Sequence, residues 1–178
     1  MSITNPKTSY YEQASDRLLF RSITLSDVAL WTPFFLRDDY MPFLMQDITQ
    51  PAEDRALVWV ERQIQRENDG QYGHLAAIEK SSGKFIGMGG VVHRELYGKD
   101  ELEITYSLLP EFWGKGYARE LAKTFIDHIR EHSEATSVIS MIHPENEASI
   151  KVAKANGLTY DRKAKFLGVP VDVYRLEF

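Results

Sequence analysis

Residues 110–122 read Pro-Glu-Phe-Trp-Gly-Lys-Gly-Tyr-Ala-Arg-Glu-Leu-Ala, and these residue types are suited to holding an anion. Before them, Leu102, Ile104, Tyr106 and Leu108 are apolar at every second position, the period of a strand with one buried face. After them, Ala118, Leu121, Ala122, Phe125 and Ile129 follow the spacing of a helix stripe. A strand therefore ends, Pro110, Gly114 and Gly116 turn the chain, and a helix begins at once. At such a junction unpaired backbone N–H groups gather at the positive end of the helix dipole. Gly114 and Gly116 place no side chain in an anion's path, and Lys115 and Arg119 add positive charge. The spacing predicts a phosphate cradle.

The Walker A pattern needs four residues between its glycines and then Gly-Lys-Ser/Thr, which this loop lacks. The dinucleotide fingerprint Gly-x-Gly-x-x-Gly fails as well, because Arg119 fills its third glycine position. The stretch resembles instead the acyl-CoA pyrophosphate loop of the GNAT superfamily of N-acetyltransferases, whose core is Arg/Gln-x-x-Gly-x-Gly/Ala. Trp113, Gly116 and Ala118 stand at its three defining positions. Trp in the first departs from the general pattern. The string Trp-Gly-Lys-Gly-Tyr-Ala is nevertheless similar to the branch that includes ribosomal-protein N-alpha-acetyltransferases, RimJ/RimL-like. The resemblance implies acetyl-CoA as cosubstrate and no metal. It places Leu108, Trp113, Gly114, Lys115, Gly116, Tyr117, Ala118, Arg119, Asn146 and Ser149 on that cosubstrate.

The rest of the chain supplies the elements that carry this loop. Residues 1–16 read as a flexible N-terminal arm, and 17–178 as a single domain large enough to bury a core. A strand over residues 17–23 leads to a short helix reaching about Leu36, capped by Thr24 or Ser26 with Asp27 in its first turn. Tyr40, Met41, Phe43 and Met45 fall in a loop or short helix that packs on the core; in the family the matching region often walls the acceptor pocket. Pro51 starts a helix with Leu57, Val60 and Ile64 on one side. Three strand-like runs at 72–79, 84–94 and 101–109 form an antiparallel meander, where Gly87, Gly89 and Gly90 suggest a bulge or close backbone approach. A buried strand over 137–142, a helix over 146–156 stopped by Gly157, and a closing hairpin about residues 166–168 complete the chain. This order is that of the GNAT fold: an α+β domain with a mixed, mostly antiparallel sheet of about seven strands and about four helices.

A second motif, Asn146-Glu147-Ala148-Ser149 with Gly157-Leu158, resembles the family's Asn-x-x-Ser-…-Gly-Phe segment, in which the Asn bonds the pantetheine arm. Asn146 is equally a good helix N-cap. Many members carry a Tyr seven residues after that Asn as general acid; here Ala153 stands there, and Ser149 takes its place as the group facing the leaving thiolate. Acyl transfer also requires the amine to lose a proton. Glu103 alternates away from Leu102, Ile104 and Tyr106, and Glu103-Ile104-x-Tyr106 resembles the Glu-Ile-Gly-Tyr run that supplies a base, with Thr105 replacing Gly. The backbone N–H next to Leu108 would polarise the thioester carbonyl.

Composition bounds the partners. Lys plus Arg total 21 against 26 Asp plus Glu, a net charge of -5, which disfavours nucleic acid and suits a cationic amine. The chain has no cysteine, so disulfides, thiolate metal sites and an acyl-cysteine intermediate are excluded. No apolar run approaches a membrane span, and the polar N-terminus is unlike a secretory signal, so a cytoplasmic setting without a membrane partner is expected. His128-Ile129-Arg130-Glu131-His132 matches the metallopeptidase string His-x-x-Glu-His, but it falls at a helix end where His and Arg complement the dipole. His74, His93 and His143 read as packing or surface residues. The reading is an acetyl-CoA-dependent N-acetyltransferase, monomer or homodimer, acting on a protein N-terminal alpha-amine. The alternatives are a small amine such as an antibiotic, polyamine or amino sugar, and a CoA-binding module without catalysis.

Overall fold

The computed structural model describes residues 8–37 and 49–178. A 3-10 turn, Thr8–Tyr11, leads into β1 (Glu12–Ala14), which pairs antiparallel with β2 (Leu18–Arg21). Then follow α1 (Asp27–Trp31), a 3-10 turn (Thr32–Leu36) and α2 (Ala52–Asn68). The meander is β3 (His74–Glu79), β4 (Phe85–Leu96) and β5 (Lys99–Leu108). After a 3-10 turn, Pro110–Phe112, come α3 (Tyr117–His132), β6 (Ser137–Ile142), α4 (Glu147–Ala155), β7 (Thr159–Phe166) and β8 (Val169–Glu177).

The strands form one sheet in the order β1-β2-β3-β4-β5-β6-β8-β7. Among the described residues this is eight strands, one more than the sequence suggested. The extra strand, β1, lies in the segment expected to be an arm. Tyr10 explains the difference: its side chain is fully buried, and its hydroxyl donates to the Gly73 carbonyl (2.5 Å) and accepts from Val91 N–H (2.7 Å). A single buried phenol thus fastens residues 8–14 to two strands distant in sequence. Tyr40, Met41, Phe43 and Met45 lie outside the described residues.

The first helix is shorter than its apolar pattern implied, because Pro33 tightens the chain into the 3-10 turn. Ser26 makes no side-chain cap bond; Asp27 is buried instead, paired to Arg21 at 2.8 Å and accepting from Thr24 N–H at 2.9 Å. The aromatic residues that follow pack under the sheet, with Trp31 stacked on Phe34 at 4.1 Å.

The glycines of β4 mark close approach, as expected. A Cβ on Gly89 would lie 2.7 Å from both Leu121 Cδ2 and the Thr105 carbonyl, so α3 rests directly on the strand backbone. Leu121, Phe125 and Ile129 point into that contact and are fully buried. Apart from β5 and β6, every neighbouring pair is antiparallel; those two are parallel and in register only at Glu103 opposite Ile139. Beyond that point they part.

Tyr10→Phe keeps the ring but leaves a buried carbonyl and a buried N–H unpaired. The expected cost is about 1–3 kcal/mol, read as a lower urea midpoint at unchanged slope. An unchanged midpoint would show that residues 8–11 do not pack in solution.

Candidate active site

Where β5 and β6 part, a cleft of about 720 Å³ opens between the end of β5, the turn into α3 and the head of α4. Leu108, Trp113, Gly114 and Gly116 line it from the turn, and Tyr117, Ala118 and Arg119 from the first turn of α3. Asn146 and Ser149 line the facing wall. Two residues singled out from sequence lie elsewhere. Lys115 is not part of the lining; its ammonium sits over the Phe112 ring at 5.3 Å. Glu103 is not part of it either.

The loop has the geometry its glycines require. Gly114 and Gly116 have φ of +72° and +81°, left-handed values that favour glycine. A Cβ on Gly114 would meet nothing within 4 Å, so the surface there is open backbone. The first intrahelical bond of α3 runs from Glu120 N–H to the Gly116 carbonyl (3.1 Å), which leaves the N–H groups of Tyr117, Ala118 and Arg119 without helical partners. These donors, the helix dipole and the exposed Arg119 put positive potential at the head of α3, a setting suited to an anion.

Arg17 holds the loop from outside, a role the sequence did not reveal. It donates to the Lys115 carbonyl (2.9 Å), pairs with Glu120 (2.6 Å) and lies over the Tyr117 ring at 4.4 Å. The Tyr117 hydroxyl donates to Glu79, so this side chain faces away from a ligand, with only its backbone available.

On the facing wall Asn146 heads α4. Its Oδ1 accepts from Ser149 N–H at 3.2 Å, the cap expected of it, and its amide Nδ2 has no partner among the described residues. The Ser149 hydroxyl is likewise unbonded among them. Tyr106, read from sequence only as a core residue, also lines the cleft and donates to the Ser149 carbonyl at 2.9 Å. Burial raises its phenol pKa well above the usual value, so it stays protonated. Its alternation with Leu108 was the signal that could have placed it here.

The backbone at Leu108 can be assigned. Leu109 N–H donates to the Ile86 carbonyl at 2.9 Å, toward β4. Successive N–H groups point to opposite edges of a strand, so Leu108's own N–H faces the parting. Its carbonyl on that edge accepts from Trp113 Nε1 at 2.7 Å, which fixes Trp113 against the strand end.

Glu103 lies on the other face of the sheet, beneath α2, and is buried rather than solvated. One carboxylate oxygen pairs with Arg94 Nε at 2.6 Å; the other accepts from Met141 N–H at 3.3 Å across the parting strands. Nearby, His74 Nε2 is 2.5 Å from Thr105 Oγ1. Burial, reinforced by Arg66, Arg94 and Arg62, lowers the His74 pKa to about 3, so the ring is neutral. In the His-x-x-Glu-His string, His128 is buried against Tyr10, its ring stacked on His132 at 4.6 Å. Among the described residues no three His, Cys, Asp or Glu side chains are grouped to hold a metal.

The family model for an acetyltransferase (GNAT) domain matches residues 17–159. An uncharacterized protein of Bacillus subtilis, YkkB, is 28% identical over 163 residues, spanning 90% of this chain and 92% of that one. The crystal structure of an acetyltransferase from Agrobacterium tumefaciens superposes with a TM-score of 0.78 at 22% identity, covering 98% of both chains. RimL, a ribosomal alpha-N-protein acetyltransferase solved in complex with coenzyme A, superposes with a TM-score of 0.72 at 19% identity, covering 93% of this chain and 96% of that one.

Two outcomes test this geometry. Gly116→Val adds a branched side chain where φ is positive and the anion would approach, so affinity for coenzyme A by titration calorimetry should fall at least about tenfold. Unchanged affinity would remove the loop from the binding site. For His74, the folded pKa lies below the unfolded value of about 6.5, so the fold loses stability as pH falls from there toward 3. At pH 5 the loss is about 2 kcal/mol. Urea titrations should show that loss in the wild type and not in His74→Gln.

Proposed function

This chain belongs to the GNAT acetyltransferase domain family, and we propose that it passes the acetyl group of acetyl-CoA directly to a primary amine. It is an acyl-CoA-dependent N-acetyltransferase. The observation that carries the proposal is the continuity of one cleft, from the N–H groups at the head of α3 to the parting of β5 and β6. Its two ends suit a ligand with a pyrophosphate at one and a reacting thioester at the other. With no cysteine to carry the acetyl group, direct transfer with both substrates in one complex is the simplest route.

The reaction needs three things from the protein. Leu108 N–H, aimed at the parting, is positioned to stabilise the negative charge that develops on the thioester oxygen as the amine attacks. The Ser149 hydroxyl hydrogen-bonds the departing thiolate, and the neutral phenol of Tyr106 keeps that turn of α4 in place through the Ser149 carbonyl. Glu103 receives the proton lost by the attacking ammonium, directly or through one water, with Arg94 holding its carboxylate at the edge of the parting. Carbon–sulfur cleavage then gives the amide and coenzyme A.

For the acceptor we propose a protein N-terminal alpha-amine. The Trp-Gly-Lys-Gly-Tyr-Ala loop and the likeness to RimL support this reading. Small amines are the second class to screen.

Acetyl transfer to a panel of N-terminal peptides and small amines tests the function. Binding of acetyl-CoA without transfer to any amine would favour the non-catalytic module instead. Glu103→Gln should lower kcat about 100-fold at neutral pH while leaving coenzyme A affinity unchanged. A kcat within twofold of wild type across pH would remove Glu103 as the base.

A further inference from the structure

We propose that the sheet face beneath α2 binds an acid group, a carboxylate or phosphate, carried by the acceptor close to its reactive amine. The inference rests on the transferase reading above and narrows it to a substrate class.

The helix supplies the first part of the site. Trp59, Arg62 and Arg66 are spaced i, i+3 and i+7, so they lie on one stripe of α2. Across from that stripe stand His74 on β3, Arg94 on β4, and Glu103 and Thr105 on β5. Trp59 and His74 are in ring contact at 5.6 Å, which ties helix to sheet at this point.

Charge does not balance there. Arg62, Arg66 and Arg94 all act on buried His74, whereas the carboxylate among them, Glu103, is already matched to Arg94. Arg66 is half-buried, and its guanidinium donates to the neutral amide oxygen of Gln63 at 3.0 Å. Burial and the charges of Arg94 and Arg62 lower its pKa to about 10, and the attraction of Glu103 offsets them only in part. Arg62 has no ion-pair partner among the described residues. A local surplus of two positive charges thus persists in a chain of net charge -5.

Hydrogen bonding points the same way. His74 Nδ1 and Trp59 Nε1 are both shielded from solvent and have no partner among the described residues. Trp59 Nε1 is a donor only. His74 Nε2 is 2.5 Å from the Thr105 hydroxyl, and the tautomer in which that hydroxyl donates leaves the proton of the neutral ring on Nδ1, a second donor that an anion would select. The unmatched indole N–H of Trp59 is a donor, and Arg62 and Arg66 are cations. A ligand that satisfies them must bring oxygen acceptors and negative charge.

The position relative to the chemistry follows from Glu103, which bridges to Met141 N–H at the edge of the parting. An amine entering from the α2 side would meet the thioester there, with its acid group behind it among the guanidinium groups.

The test compares matched amines in the steady state: aspartyl amide against asparaginyl amide for a carboxylate, and phosphoethanolamine against ethanolamine for a phosphate. Wild type should favour the acid-bearing member of at least one pair by about tenfold or more in kcat/KM, and which pair responds identifies the acid. In Arg62→Gln/Arg66→Gln that preference should vanish through KM, with KM for acetyl-CoA and turnover of neutral amines unchanged; Arg66→Lys should keep part of it. Equal use of both members of each pair, or a preference that survives the double variant, overturns the proposal. Should no amine be turned over, titration of the acetyl-CoA complex with succinate and with inorganic phosphate decides. Binding weakened about tenfold in the double variant supports the site, and no binding at millimolar anion overturns it. Failure of the transferase reading would show separately, as a lack of acetyl-CoA binding or of transfer to any neutral amine.

Discussion

The parallel contact between β5 and β6, in register only at Glu103 opposite Ile139, is the constraint on which the rest of the site depends. Two strands that stayed paired would satisfy each other's backbone and leave no entry between them. Here the ladder stops, and side chains take over where backbone bonds would have been. Ser140 Oγ donates to the Ile104 carbonyl at 2.9 Å, Met141 N–H donates to Glu103, and Tyr106 reaches past β6 to α4. Buried backbone polar groups need partners, and these bridges limit the opening to its far end. What remains free on that edge of β5 is the Leu108 N–H, since its carbonyl already accepts from Trp113.

Two kinds of positive potential flank that opening. On the α3 side it comes from backbone N–H groups and a helix dipole, which bind without side-chain selectivity and suit a phosphate common to many ligands. On the α2 side it comes from guanidinium groups, which are directional. A chain can alter the second by point substitution while leaving the first intact. One fold can therefore keep its acyl donor while its acceptor changes.

Much of this was legible in the sequence because it is local. The change from a two-residue to a helical period around Gly114 and Gly116 fixed both the loop and its neighbours, and Asn146 announced the head of α4. The long-range parts were not legible. Tyr10 joins the core through partners 63 and 81 residues away, and no local pattern encodes that. Arg17 looked like the first residue of a strand, yet its side chain serves a loop 98 residues later. Alternation put Glu103 on the correct face but could not disclose the ion pair with Arg94, and it assigned Tyr106 to packing alone.

The position of Arg17 has a consequence for the energetics of recognition. A glycine-rich loop left to itself would sample many conformations, and a ligand would have to select one of them at an entropic cost. Here the Lys115 carbonyl is held by Arg17, whose other contacts are to Glu120 and the Tyr117 ring. The loop is thereby set before any ligand arrives, and its flexibility is surrendered during folding instead of at each encounter. Residence time on the protein then depends on the contacts themselves, with no loop refolding in either direction.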